Sequence, residues 1–344
     1  MKKLYTTGRP ELDRLISELI EQAGGSAEQD LLQQMMVTII HLLEERVERG
    51  ELKIINSTLK ELRYAIKVFT PYRGIRKVTI FGSARTPKAS PQYRQAKEFS
   101  REMVRRGWMV ITGGATGIMS AGNEGAGRAK SCGMNVRLPF EQEANPVMAE
   151  DPKLINFKYF FTRKLTFLKE SDATVLFPGG YGTHDEGFET LTLVQTGKTE
   201  PRPIVCIDTP GSNYWKLWRE FVEKELLESG MIDAEDLDLV DFTQDAKRAV
   251  EIVTGFYRNF HSLRFVGDDL VIRMHRPLSI KQSERLNRDF RNIIRRGRIH
   301  PVERPLPEEE NEPSTHRLAR LVFDFNRKDF SLLRKLINTV NQKE

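Results

Sequence analysis

The stretch Phe177-Pro178-Gly179-Gly180-Tyr181-Gly182-Thr183-His184-Asp185-Glu186 decides how this chain reads. It follows an apolar run, Ala173-Thr174-Val175-Leu176-Phe177, which reads as a buried strand. After it, Gly187-Phe188-Glu189-Thr190-Leu191-Thr192-Leu193-Val194 carries apolar residues at helical spacing. The stretch is therefore a strand-to-helix turn. Its glycines let the backbone turn sharply and approach a ligand closely, and the helix that follows offers unpaired N–H groups and the positive end of its dipole. That arrangement suits a phosphate. Thr183 and Glu186 also match a Thr-x-x-Glu capping box, which would hold Glu186 still at the helix start.

Outward from this turn, strand-like and helix-like segments alternate from Arg76 to about Tyr257. The expected strands are Val78 to Phe81, Met109 to Thr112, Asn135 to Leu138, Ala173 to Phe177, Pro203 to Ile207 and Leu237 to Val240. Helical patterns lie between them, as from Pro91 to Arg106 and from Ser212 to Ser229. Such alternation specifies an α/β fold with a mainly parallel sheet covered on both faces. Ligands then bind beyond the carboxyl ends of the strands. Three loops at that edge are rich in glycine or hydroxyl groups: Gly82-Ser83-Ala84-Arg85, Gly113-Gly114-Ala115-Thr116-Gly117-Ile118-Met119, and the opening stretch. Neither GxGxxG nor GxxxxGK[ST] is present, so a smaller nucleotide or a sugar phosphate is expected in place of a dinucleotide.

Composition sets the outer limits. The chain has 344 residues, 39% of them hydrophobic and 30% charged, with a mean hydropathy of −0.47. It holds no apolar run long enough to cross a bilayer, and Met1-Lys2-Lys3-Leu4-Tyr5 lacks the apolar core of a signal peptide. Two cysteines, Cys132 and Cys206, give neither a disulfide framework nor metal-ligand spacing. A cytoplasmic protein with no membrane partner is expected. The net charge of +6 favours anionic ligands but does not call for nucleic acid.

The two ends read differently from the middle. Residues 1 to about 70 look helical, with turns at Gly24-Gly25 and near Gly50 and an end at Pro71. Leu32, Met35, Met36, Ile39, Ile40, Leu42, Leu43 and Val47 form a wide apolar stripe, read as core or partner-facing surface. Beyond Tyr257, a hairpin around Gly267, a helix from Ser279 to Arg296, a strand from Leu318 to Phe325 and a last helix suggest a small α+β module. Pro301 to Pro313 reads as a loop or linker, and Arg288, Arg291, Arg295, Arg296 and Arg298 as a basic cluster, either a solvated helix face or a site for nucleic acid or a regulatory phosphate, with no aromatic interleaving to support RNA binding. The expected organisation is residues 1–72 as a helical extension, 73–258 as the nucleotide-binding catalytic domain and 259–344 as the C-terminal module.

The combination of Gly82-Ser83-Ala84-Arg85, Gly113-Gly114-x-x-Gly117-Ile118-Met119, Arg163-Lys164 and Pro178 to Glu186 resembles the LOG (Lonely Guy) family of cytokinin-activating enzymes, over roughly Arg76 to Tyr257. The resemblance implies a Rossmann-like doubly wound fold, a homodimer or higher oligomer, and a phosphoribohydrolase that splits a nucleoside 5′-monophosphate into free base and ribose 5-phosphate, without metal or organic cofactor. Members have often been labelled lysine decarboxylases, yet nothing in this sequence marks a pyridoxal phosphate lysine. By resemblance Glu186 is the catalytic carboxylate and Arg163 its cationic partner near ribose and base. Substrate contacts are expected at Gly82, Ser83, Arg85, Gly113, Gly114, Gly117, Met119, Lys164, Gly179, Gly180, Tyr181, Gly182, Thr183 and Asp185. Chemistry agrees with the assignment, because N-glycosidic cleavage passes through an oxocarbenium-like state that a carboxylate stabilises or supplies with activated water. In the helical run Phe157 to Lys169, Phe157, Phe160, Phe161, Leu165 and Leu168 form the expected apolar face, with Tyr159, Thr162, Arg163 and Thr166 on another. The alternative reading is a carrier that binds a nucleotide or phosphorylated cofactor without cleaving it, because fold does not fix function.

Overall fold

The structure is a computed structural model that describes residues 5–138 and 143–342. The first four residues, part of the segment read above for a signal peptide, lie outside the described residues. The chain divides into two compact units, Met1–Arg63 and Tyr64–Glu344. Among the described residues no helix is long and apolar enough to cross a membrane.

The first unit holds α1 (Pro10–Gln22), α2 (Gln29–Glu44) and most of α3 (Arg49–Phe69). Gly24 and Gly25 take positive φ between α1 and α2, as their turn signal requires. Of the apolar stripe, Met36 and Ile40 pack against the buried Ile16, Ile20 and Val37, whereas Leu32, Met35, Ile39 and Leu43 are exposed. The turn expected near Gly50 falls at residues 45–48, between α2 and α3, where Arg46 has positive φ, and Gly50 itself is the second residue of α3.

The second unit opens as a 3-10 turn, Thr70–Tyr72, ends the helical region at Pro71. Seven parallel strands follow: β1 (Lys77–Phe81), β2 (Met109–Thr112), β3 (Ser131–Val136), β4 (Leu154–Phe157), β5 (Ala173–Leu176), β6 (Ile204–Ile207) and β7 (Asp241–Thr243). Their order is β4-β3-β2-β1-β5-β6-β7. The chain winds outward from β1 to β4 and then returns to lay β5 beside β1, so the direction of winding reverses there. This is a Rossmann-like, doubly wound sheet, and the β1–β5 junction is its switch point. Both faces are covered. On one, Val78, Ile80, Val110 and Val175 pack under α4 (Pro91–Arg105), α5 (Ile118–Ala126) and α9 (Ala246–Phe256). On the other, Phe81, Met109, Ile111 and Leu176 pack with Phe167 of α6 (Phe160–Glu170) and Trp215 of α8 (Tyr214–Phe221). Each fully buried aliphatic side chain contributes about 1.5–3 kcal/mol.

Four elements differ from the expectation. β3 begins at Ser131, four residues early, because Ser131, Cys132 and Gly133 already pair with Val110, Ile111 and Thr112. β4 has no counterpart in the sequence reading. Residues 237–240 are not a strand: Asp233 and Asp236 cap a 3-10 segment, Ala234–Leu239, and the strand is β7 just beyond it. The pattern from Ser212 to Ser229 is α8, continued by a π-helical segment, Val222–Leu227.

The C-terminal residues build a four-stranded antiparallel sheet of β8 (Phe260–Val266), β9 (Asp269–Met274), β10 (Ile294–Val302) and β11 (Ala319–Phe325), ordered β10-β11-β9-β8. With it go α10 (Ile280–Asp289) and α11 (Phe330–Val340). The helix expected to reach Arg296 stops at Asp289, because Ile293, Ile294 and Ile299 are buried in this sheet's core and Gly297 has positive φ. Arg295, Arg296 and Arg298 therefore lie on an edge strand, where charge discourages unwanted pairing. Nor is the proline- and glutamate-rich segment a free linker. Glu309 is fully buried and accepts hydrogen bonds from Arg273 Nε (2.7 Å) and Arg320 Nε (2.8 Å).

Candidate functional site at the switch point

The three glycine loops meet beyond the carboxyl ends of β1, β2 and β5, and the backbone stitches them together. Ser83 N–H donates to Pro178 O (3.1 Å), and Ile118 N–H donates to Ser83 O (3.0 Å). Thr116 Oγ1 donates to Ala84 O at 2.9 Å. Gly117 is required here on two grounds. Its φ is +64°, and a Cβ on it would stand 2.2 Å from Ser83 O. Gly179 is equally constrained, since a Cβ there would lie 2.1 Å from Thr183 Oγ1 and 3.0 Å from Ser83 N. Gly82 packs against Ile118, and Gly113 against Met119 Sδ. Gly114 N–H donates to Thr112 Oγ1 at 3.0 Å. Arg85 is exposed, with its N–H on Ser83 Oγ.

The third loop runs into α7 (Tyr181–Gln195), with Gly180 at the N-cap. This corrects the capping-box reading. Thr183 is the third residue of the helix and Glu186 the sixth, and among the described residues no side chain caps the N-terminus. Tyr181 is 95% exposed. Together with Gly182 it puts its N–H at the open end of the helix, the end that attracts anions.

Glu186 is held inside the protein. It is 5% exposed, and Arg163 Nη2 of α6 stands 3.8 Å from its Oε1. Burial pushes its carboxyl up to about 7, against the opposing pull of Arg163 and Lys164 and with some help from Glu189 and Asp185. At neutral pH it therefore exchanges a proton readily, as a general base or acid must. The same Arg163 Nη2 would be 3.9 Å from a Cβ on Gly113, so the guanidinium spans the second and third loops. Burial lowers the Arg163 pKa, and Glu186 and Asp185 partly compensate. Its Nε is buried without a hydrogen-bond partner among the described residues. A planar cation left with a free donor is suited to an incoming oxygen or ring nitrogen.

Lys164, next along α6, bridges Asp185 Oδ1 (2.8 Å) and Glu189 Oε2 (3.3 Å), so two ion pairs bind α6 to α7. Burial disfavours its charge, but the Asp185 hydrogen bond and the nearby glutamates outweigh this and raise its pKa. All the residues expected at the site thus belong to the three loops or to facing positions of α6 and α7.

The orientation of α6 is the reverse of the expectation. Thr162, Thr166 and Phe167 are buried, whereas Phe160, Phe161 and Leu165 are each 52% exposed. Thr162 Oγ1 donates to Tyr159 O and Thr166 Oγ1 to Thr162 O, so both hydroxyls enter the interior already satisfied. Phe167 meets Phe81 with ring centroids 4.9 Å apart. Phe157, assigned to the same helix, is the last residue of β4.

Two supports had no signal in the sequence. Tyr214 O–H contacts both Gly179 O (2.5 Å) and His184 Nε2 (2.7 Å), fixing the third loop from α8. Behind the second loop, Asn123 Oδ1 accepts from Thr112 Oγ1 (2.7 Å) and Asn145 Nδ2 (2.9 Å), while Asn145 N–H donates to Gly114 O (2.8 Å). A single Tyr or Asn within a helix or loop pattern carries no motif, and only the fold brings them to the glycines.

Fold and site define a class: a Rossmann-like protein whose glycine loops converge on a buried acid at the switch point. A family described as "possible lysine decarboxylase" matches residues 115–253. A cytokinin riboside 5′-monophosphate phosphoribohydrolase of Mycobacterium tuberculosis is 31% identical over 175 residues, 47% of this chain and 88% of the relative. An enzyme of the same name from Arabidopsis thaliana is 25% identical over 179 residues, 51% of this chain and 80% of the relative. This chain belongs to that family, the LOG family. Among solved structures, the molybdenum cofactor carrier protein of Chlamydomonas reinhardtii is 22% identical and covers 52% of this chain and 96% of its own, with a TM-score of 0.37.

Proposed function

We propose that this protein hydrolyses the N-glycosidic bond of a nucleoside 5′-monophosphate, releasing the free base and ribose 5-phosphate. The observation that carries the reading is Glu186: a buried carboxyl with a pKa raised to about 7, 3.8 Å from Arg163, at the meeting point of three loops suited to phosphate. The 5′-phosphate lies against the backbone N–H groups of Gly113 and Gly117 and of Gly179, Gly180 and Gly182 at the start of α7, with Gly114 shaping the second loop, the Thr183 hydroxyl beside the third, and Ser83 and Arg85 at the rim. This places the ribose towards Glu186. As the bond between the anomeric carbon and the base nitrogen breaks, its electron pair leaves with the base, and ionised Glu186 stabilises the cationic sugar. Water then adds to the anomeric carbon and gives its proton to Glu186, while the base takes up a proton from solvent. Arg163 hydrogen-bonds the ribose or the departing base, and Asp185, anchored by Lys164, faces the ribose hydroxyls. The reading also includes a soluble, cytoplasmic homo-oligomer, for which the exposed Phe160, Phe161 and Leu165 offer a surface.

The test is a panel of AMP, GMP, CMP, UMP and a prenylated AMP, with base and ribose 5-phosphate measured directly. Release from at least one member is expected, with kcat lowered about 100-fold or more by Glu186→Gln. Tight nucleotide binding without release across the panel would replace the hydrolase by the carrier.

A further inference from the structure

A cleft of about 910 Å³ opens at the opposite end of the same sheet. Its floor is the start of β1 and β5, and its walls come from the end of α6, residues 198–202 and the β8–β9 side of the C-terminal sheet. It lies on the far side from the glycine loops, which follow the other ends of those two strands.

Five cations line it: Arg73, Arg76, Lys169, Lys198 and Arg202. They face two carboxylates, Asp172 and Glu200. Asp172 is already consumed, because it accepts from Arg76 Nη1 (2.8 Å) and from Lys77 N–H (2.8 Å). Lys169 is paired with the neighbouring Glu170. Arg73 and Lys198 are exposed and have no ion-pair partner among the described residues. Arg202 is 7% exposed and rigidly placed: Nη1 donates to Leu168 O (2.9 Å) and Ser171 O (2.7 Å), Nη2 to Thr199 Oγ1 (2.7 Å). Its Nε is left buried and without a hydrogen bond among the described residues. Two histidines, His261 and His275, complete the wall. Burial and then Arg76 push His261 down to about 4 and lower His275, so neither adds a charge at neutral pH.

We propose that this cleft is a second anion site, separate from the glycine loops, that takes a compact phosphorylated small molecule. Cationic excess argues for a ligand bearing more than one negative charge. The role of Tyr257 argues that the phosphates, and not an aromatic base, are what is recognised: Arg76 already covers its ring, 3.6 Å from the centroid.

The experiment is a calorimetric titration of the full chain with inorganic pyrophosphate, in the wild type and in an Arg73→Ala/Lys198→Ala double variant. Both residues are exposed, so the fold is retained. Expected are saturable binding by the wild type, at least tenfold weaker in the double variant, and unchanged base release from a nucleotide by that variant when pyrophosphate is absent. Glu200→Gln removes the rim carboxylate, which forms no ion pair among the described residues though Arg202 acts on it, and should tighten binding at least twofold. No saturable binding by the wild type, equal affinity in the double variant, or unchanged or weaker affinity in Glu200→Gln would overturn the proposal.

Discussion

A glutamate in an unfolded chain ionises near pH 4.5, whereas Glu186 in the fold keeps its proton to about pH 7 because burial penalises its charge more than Arg163 and Lys164 relieve it. The sign of the linkage follows. Below pH 4.5 both states are protonated and the group contributes nothing. Between 4.5 and 7 the unfolded chain loses its proton while the folded one retains it, so stability falls as pH rises. Glu186→Gln should therefore raise stability at pH 8 by about 1–3 kcal/mol, read from chemical denaturation, even as it lowers kcat. A loss of stability would contradict the buried-acid reading. If the ionised form is the active one, kcat/KM rises with pH through an apparent pKa of about 7; a flat profile from pH 5 to 8 would remove the role. Gly117 makes an independent demand on the same site. Gly117→Ala meets both a left-handed φ and the Ser83 carbonyl, and should cost at least about 2 kcal/mol by thermal or chemical unfolding.

At the scale of the element, the strands that carry the site were legible. Val78 to Phe81, Met109 to Thr112 and Ala173 to Phe177 are largely apolar runs, as strands buried on both faces must be, and each is followed by a glycine loop, in which Gly114 and Gly117 take left-handed φ and Gly82 and Gly179 leave no room for a Cβ. Helix orientation was not legible. Phe160, Phe161 and Leu165 looked like the inward face of α6, but Thr162 and Thr166 hide their hydroxyls within the helix and go inside with Phe167. The capping box failed for a related reason: a Thr-x-x-Glu spacing does not say where the helix starts, and Gly180 sets it three residues before Thr183. The arginine-rich segment misled because its charges suggested a solvated helix, while the buried isoleucines beside them required a strand. The outward apolar row has a consequence of its own. A Phe160→Glu/Leu165→Glu double variant should shift the protein to lower mass in light scattering at micromolar concentration; a wild type already monomeric there would exclude this surface as the interface.

For the whole molecule, the two ends of the parallel sheet have different chemistry. The carboxyl end carries glycine loops, an open helix N-terminus and a proton-exchanging acid; the amino end carries arginines and lysines around a cleft. The C-terminal sheet is fastened to this unit by long-range contacts invisible to local pattern, such as Arg334 of α11 on Asp241 of β7 (2.5 Å). Of all measurements, base release from a nucleoside 5′-monophosphate by the wild type, by Glu186→Gln and by Arg163→Ala bears most directly on the proposed chemistry. Free base and ribose 5-phosphate in equal amounts from the wild type, with at least about a 100-fold loss of kcat in each variant, is the predicted result. Undiminished release by both variants would contradict it.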